Sequence, residues 1–302
     1  MLSRPQQYRT RFAPSPTGFL HVGHAYAVMQ IEQWARQHDA NILLRIEDID
    51  HTRCRPQWIE PIQQDLQYFG FVWDGKVRQQ SQYLDDYQQA LQHLRDLDVL
   101  YPCFCTRRDI QKALKKQPEP SHIFDPYPQT CQHLRTQEQQ KRMACEPFAW
   151  RLNCEKAMRM VQQPMTWFEQ GKIHIVHIQD MGDVVLARKD IGTSYHIAVV
   201  VDDALQGVTH IIRGDDLSNS TPIHVLLQHL LGLPTPVYQH HALLCHRDGE
   251  RLAKRQQSIH LRHLFEAGLS SQHLREYLAH CGDVWHFPAH AYAIDIAQQL
   301  GS

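Results

Sequence analysis

The stretch RFAPSPTGFLHVGH at residues 11–24 sets a Pro/Gly-rich turn and two histidines between a strand-like run and a helix-like run. Residues 8–12 alternate and favour β-structure, whereas 25–37 carry apolar side chains at helical spacing. The helix N-terminus then points at the turn, and its free backbone N–H groups favour a phosphate. That is the arrangement of a nucleotide site.

Outward from this turn, residues 41–46 read as a short buried strand and 58–69 as a helix ending at Gly70. Residues 8–100 thus run strand, helix, strand, helix, helix, the first half of an open α/β sheet. The character changes over 101–189, with basic and Gln-rich helices, a Pro-rich stretch at 117–128 and cysteines at 103, 105, 131, 145 and 154. This is the text of an insertion. From 191 β-rich text resumes at 196–201 and 208–213, and a helix over 222–231 stops at Gly232. Past 247 the chain is polar, then helical through 274–280. Four segments follow: 1–100 and 191–246 as the two halves of an open α/β domain, 101–190 as the inserted subdomain, and 247–302 as a loop with a short C-terminal helical segment.

Composition narrows the partners. The 31 Lys and Arg against 32 Asp and Glu give a net charge of −1, so any nucleic acid must be met by a local basic patch. Eight cysteines in 302 residues do not make a secreted disulfide scaffold, and the N-terminus lacks an apolar signal core. A cytoplasmic protein is expected. No apolar run approaches membrane-spanning length.

HVGH at residues 21–24 resembles the HIGH signature of class I aminoacyl-tRNA synthetases, and RFAPSPTG before it resembles the glutamate and glutamine branch. VVVDD at 199–203, GVTHIIRGDDL at 207–217 and RLAKR at 251–255 resemble the same branch in the same order. In a chain with 22 histidines HVGH alone would carry little, but these segments together carry the family. The resemblance implies an α/β fold: a Rossmann-like class I catalytic domain with a zinc-bearing insertion, a short C-terminal helical segment and no anticodon-binding domain.

Activation of an amino acid sends its carboxylate against the α-phosphate of ATP and expels pyrophosphate. Negative charge gathers on phosphoryl oxygens, so positioned donors are the natural catalysts. His21 and His24 would present imidazole N–H groups to those oxygens, aided by the helix dipole. RLAKR stands where the family carries its KMSKS loop, which assigns Lys254 to the triphosphate, with Arg251 in place of the first lysine and Ala253 in place of the serine. Mg2+ accompanies the ATP. Glutamate offers two carboxylates and one ammonium, so its site needs cationic forks and an acid. By resemblance Arg11, Phe12, Ala13, Pro14 and Ser15 form one wall, Glu47 lies near the ammonium, and Tyr195 and Arg213 lie near a carboxylate. An arginine left unpaired by glutamine would penalise that substrate, so glutamate is preferred. The acidic pairs Glu47, Asp48 and Asp202, Asp203 follow strand-like runs, where an open sheet holds its ligands; Asp48, Asp50, Asp202 and Asp203 receive no catalytic role.

Cys103 and Cys105 form a Cys-x-Cys pair in a short turn, and Cys131 ends YPQTC. In a reducing compartment that spacing suggests one structural Zn2+ per chain. The usual fourth ligand is a Cys or His, for which His122, His133, Cys145 and Cys154 compete, while the resemblance supplies Tyr127 instead. Arg107, Arg108, Lys112, Lys115 and Lys116 are candidate RNA contacts in the insertion.

A full-length relative continues well past the KMSKS-like loop, whereas this chain stops about fifty residues later. The short length and the RGDDL…STP text at 213–222 are similar to a truncated subfamily, and that resemblance implies activation of glutamate without tRNA and its transfer to the queuosine base at position 34 of tRNA(Asp). ATP, L-glutamate and the queuosine-bearing anticodon stem-loop are then the partners, with no membrane and a monomer favoured. Two alternatives stand beside it: a minimal synthetase charging the 3′ end of tRNA(Glu), and a non-catalytic pseudo-synthetase that binds tRNA.

Overall fold

A computed structural model describes residues 7–115, 127–161, 163–177, 182–246, 252, 259–287 and 293–301. Through the first hundred residues the order is β1 (Arg9–Phe12), α1 (Val22–His38), β2 (Asn41–Ile46), α2 (Ile59–Tyr68), β3 (Arg78–Gln79), α3 (Leu84–Asp96) and β4 (Leu100–Cys103). There follow α4 (Arg107–Leu114), α5 (Thr136–Met143), β5 (Ala149–Leu152), α6 (Cys154–Met160), β6 (Thr166–Glu169), β7 (Lys172–Ile175) and β8 (Val185–Ala187). The remainder is α7 (Tyr195–Leu205), β9 (His210–Gly214), α8 (Thr221–Leu230), β10 (Val237–His241), β11 (Cys245–His246), α9 (Leu261–Glu266), α10 (Ser271–His280), β12 (Val284–Trp285) and α11 (Ala293–Leu300).

Packing divides the chain into two compact units, one of residues 1–79, 208–218 and 239–302, the other of 80–207 and 219–238. This is a partition by packing rather than by the four segments of the sequence, and it groups 80–100 and 191–207 with the insertion.

In the first unit β1 runs parallel to β2, pairing Arg9 with Asn41 through Phe12 with Leu44, and β2 runs parallel to β3. Parallel neighbours need a crossover, and α1 supplies it. Thr209 at the foot of β9 donates its N–H to the Arg9 carbonyl at 2.9 Å, so the returning chain lies beside β1. The apolar face of α1, with Val22, Val28 and Ile31, packs with Leu44 and Ile46 of β2 and with Ile62 and Leu66 of α2. Leu261 and Leu264 of α9, Leu274 and Leu278 of α10 and Ile296 of α11 enter the same core. The helix α2 stops at Gly70, whose φ of 81° is the left-handed conformation that glycine adopts without cost.

In the second unit β4, β5 and β8 form an antiparallel sheet. β6 and β7 form a hairpin, and β6 pairs in parallel with Tyr238 of β10. The strand expected at 196–201 is instead part of α7, in which every residue from Ile197 to Asp203 is buried. A helix buried on all sides loses its polar stripe, and three consecutive valines then read as a strand. With that correction Asp202 and Asp203 do not follow a strand. Asp202 is an interior residue of α7, accepting from Gln80 Nε2 at 2.8 Å and from the Tyr87 hydroxyl at 3.0 Å. Among the described residues no helix is long and apolar enough to cross a membrane.

Candidate active site

The turn between β1 and α1 is stitched to the segment that follows β2. Pro14 O accepts the Glu47 N–H at 3.0 Å, and Pro16 O accepts that of Arg55 at 2.9 Å. Phe12 and Pro14 are buried, Ala13 is half-buried and Ser15 is exposed. Arg11 is buried at the end of β1, its Nη1 donating to Ile212 O of β9 at 3.4 Å. Glu47 pairs with the buried Arg45 at 3.2 Å, which orients its carboxylate.

His21 caps α1. Its Nδ1 accepts the Gly23 N–H at 3.1 Å, and the Nδ1 of His24 accepts the His21 N–H at 3.0 Å, a reciprocal capping box built from two imidazoles. With both Nδ1 atoms accepting, each neutral ring carries its proton on Nε2. The ring centroids lie 3.8 Å apart, with the two planes tilted by 36°. Burial pushes the His21 pKa down to about 4, helped by His260, and burial holds His24 well below the ordinary imidazole range, helped by His21 and His260. Both are therefore neutral donors at pH 7, placed at the positive end of a helix.

Lys254 lies outside the described residues. On either side of it, Leu252 is buried in the core of the first unit, and Ile259 O accepts the Val22 N–H at 3.2 Å while the Leu261 N–H reaches Leu20 O at 2.8 Å. The segment after RLAKR is thus bonded directly to the start of α1, a connection with no local signal in the sequence.

Arg213 is buried on β9, donating from Nε to His240 Nε2 at 3.0 Å and from Nη2 to Leu217 O at 3.0 Å. His240 was not foreseen: it stands 27 residues away in QHH text that announces nothing. Arg11, Glu47, His21, His24 and Arg213 all belong to the first unit, and Tyr195 opens α7 in the second.

The second unit also holds a cysteine cluster. The ligand atoms of Cys103, Cys105 and Cys131 lie within 4.8 Å of one another, with Cys105 and Cys131 sulfurs 3.5 Å apart. The Tyr127 hydroxyl lies 3.3 Å from Cys103 Sγ and 3.5 Å from Cys105 Sγ. A tetrahedral zinc with thiolates at about 2.3 Å and an oxygen at about 2.0 Å needs edges of roughly 3.5–3.8 Å, so the donor set fits. Cys131 is drawn down to about 6, chiefly by its hydrogen bond with Cys103, which itself is pushed up to about 12 by that bond and by burial. Of the competing ligand types, Cys154 donates to Gly182 O, Cys145 is exposed with its thiol against Lys141 O, His133 is exposed, and His122 lies outside the described residues. Beyond Cys105 a Thr106–Asp109 capping box starts α4, which leaves Arg107, Arg108, Lys112 and Lys115 exposed; Lys116 lies outside the described residues.

Over residues 7–287 the chain matches the family tRNA synthetases class I (E and Q), catalytic domain, and it belongs to that family of ligases. More particularly, it is 45% identical over 255 residues to Glutamyl-Q tRNA(Asp) synthetase of Rhodobacter capsulatus, a match covering 82% of this chain and 90% of the relative. It is 34% identical over 294 residues to Glutamate–tRNA ligase of Aquifex aeolicus, covering 97% of this chain but 60% of that protein. A crystal structure of a glutamate tRNA ligase from Elizabethkingia meningosepticum in complex with its amino acid superposes with a TM-score of 0.74 at 22% identity, over 97% of this chain and 64% of that one, and shares the fold.

Proposed function

We propose that this chain activates L-glutamate with ATP, without tRNA, and transfers it to the queuosine base at position 34 of tRNA(Asp). The observation that carries the activation chemistry is the pair of neutral imidazoles at the start of α1, both of whose Nε2–H groups remain for a ligand once the Nδ1 atoms are used as caps. A glutamate carboxylate oxygen bonds to the α-phosphorus, the bond to the β-phosphate oxygen breaks, and pyrophosphate leaves. His21 and His24 donate to the phosphoryl oxygens on which charge accumulates, and Lys254 steadies the leaving group. Arg11 and Arg213 take the carboxylates and Glu47 the ammonium. Mg2+ bound with ATP would balance the triphosphate charge. Cys103, Cys105, Tyr127 and Cys131 would hold a zinc ion that braces the insertion.

The queuosine acceptor is supported by the relative from Rhodobacter capsulatus, matched over nearly its whole length. Glutamate-dependent pyrophosphate exchange in the absence of RNA tests the first step. Radiolabelled glutamate offered with tRNA(Asp) carrying or lacking queuosine tests the second. Exchange without RNA and label only on queuosine-bearing tRNA are expected. Label on queuosine-free tRNA(Glu) would instead favour a minimal synthetase, and no exchange at all, with tRNA binding kept, a pseudo-synthetase.

A further inference from the structure

One buried cation in the second unit is not used by the activation chemistry. Arg151 lies on β5 opposite Tyr101 of β4, and Tyr101 and Cys103, two residues apart, share one face of that strand. Arg151 is therefore the diagonal neighbour of Cys103, within reach of a long side chain. Its Nε donates to Cys103 Sγ at 3.3 Å, its guanidinium carbon stands 3.8 Å from the centroid of the Tyr127 ring, and its Nη1 donates to Asp183 O at 2.5 Å. With the residue 4% exposed, these contacts hold one plane in place.

We infer that Arg151 is a positioning residue of the candidate metal site, holding the Cys103 sulfur and the Tyr127 ring in the arrangement in which both ligate one divalent ion. The inference rests on the metal reading proposed above. A divalent ion bound by three thiolates carries net negative charge, more so with a phenolate, and in a buried site that charge is costly unless a cation lies beside it. Arginine suits the place better than lysine. Its planar fork donates to a sulfur at its edge while its face covers an aromatic ring, which an ammonium cannot do. Outer partners of this kind orient the ligand and tune the ion.

The test compares the full chain with its Arg151→Met and Arg151→Lys variants. Zinc affinity is measured by competition with a chromophoric chelator, and ligand geometry from the visible and near-ultraviolet absorption of the cobalt-substituted protein. Arg151→Met is expected to weaken zinc binding about ten- to a hundredfold and to alter the cobalt spectrum. Arg151→Lys is expected to recover part of the affinity while keeping an altered spectrum. Tyr101→Phe removes another buried hydrogen bond of the same strand pair, to Asp183, and should leave the cobalt spectrum unchanged. A wild-type chain that binds neither metal would remove the metal reading and this inference with it. A wild-type chain that binds both, matched in affinity and spectrum by the two Arg151 variants, would overturn this inference alone. So would a Tyr101→Phe spectrum as altered as that of Arg151→Met. If Arg151→Met does not fold, Arg151→Lys decides: an unchanged cobalt spectrum overturns the inference.

Discussion

Gly23 stands where any side chain would strike the His21 ring, since a Cβ built there lies 2.9 Å from Cε1 and 3.0 Å from Nδ1. No left-handed backbone is required at this position, so the glycine of HVGH is explained by close approach. In Gly23→Ala the ring must turn away and the capping box is lost. Alanine suits a helix better than glycine, so global stability should change by no more than about 1 kcal/mol. Glutamate-dependent pyrophosphate exchange should nevertheless fall at least about tenfold, equivalent to about 1.4 kcal/mol in the barrier. Unchanged exchange in a folded variant would remove His21 from the chemistry. The same pair of rings sets a pH dependence. Their folded pKa values are depressed, His21 to about 4, so between the unperturbed value of 6.5 and about 4 the unfolded chain binds more protons than the folded one. The contribution of these neutral rings to stability is complete above about pH 6.5 and is lost as pH falls towards 4. Urea midpoints across that range should fall with pH, and the fall should be shallower in a His21→Gln variant.

At the scale of elements, the run YHIAVVVDDAL shows how burial misleads a sequence reading. Strand and buried helix share a continuous apolar text, and only packing beside α3 and α8 separates them. The helix assignment also explains an acidic residue that would otherwise resemble a ligand. Asp202 faces the interior and is satisfied by Gln80 and Tyr87. Tyr87→Phe should therefore cost about 1–3 kcal/mol of stability by chemical denaturation, the range for removing one partner of a buried polar group. The KM values for ATP and glutamate should stay the same; a rise in either would give Asp202 a role in substrate binding. By contrast α1, β2, α2 and α10 were legible from their apolar text, with Gly70 marking the end of α2. The short strands β3, β11 and β12 were not, because two residues carry no period.

For the whole molecule, a net charge of −1 leaves no general attraction for RNA. Binding must then be local, and α4 presents Arg107, Arg108 and Lys112 in one exposed stretch. Replacing all three with Gln should raise the KM for tRNA about tenfold and flatten its salt dependence, because fewer counterions are released on binding. Pyrophosphate exchange without RNA should be unaffected; an unchanged KM for tRNA would place the RNA contact elsewhere.

What the sequence by itself determined is local: a strand, a turn and a helix in succession, with two histidines three residues apart at the helix start. Such features recur at fixed short spacing because the backbone bonds that create them are local. Tertiary structure alone decided that His240 holds Arg213 and that Ile259 ties the chain beyond RLAKR to Val22. These partners are separated by tens to hundreds of residues. No periodicity links them, and they are brought together only when the apolar faces around them are buried.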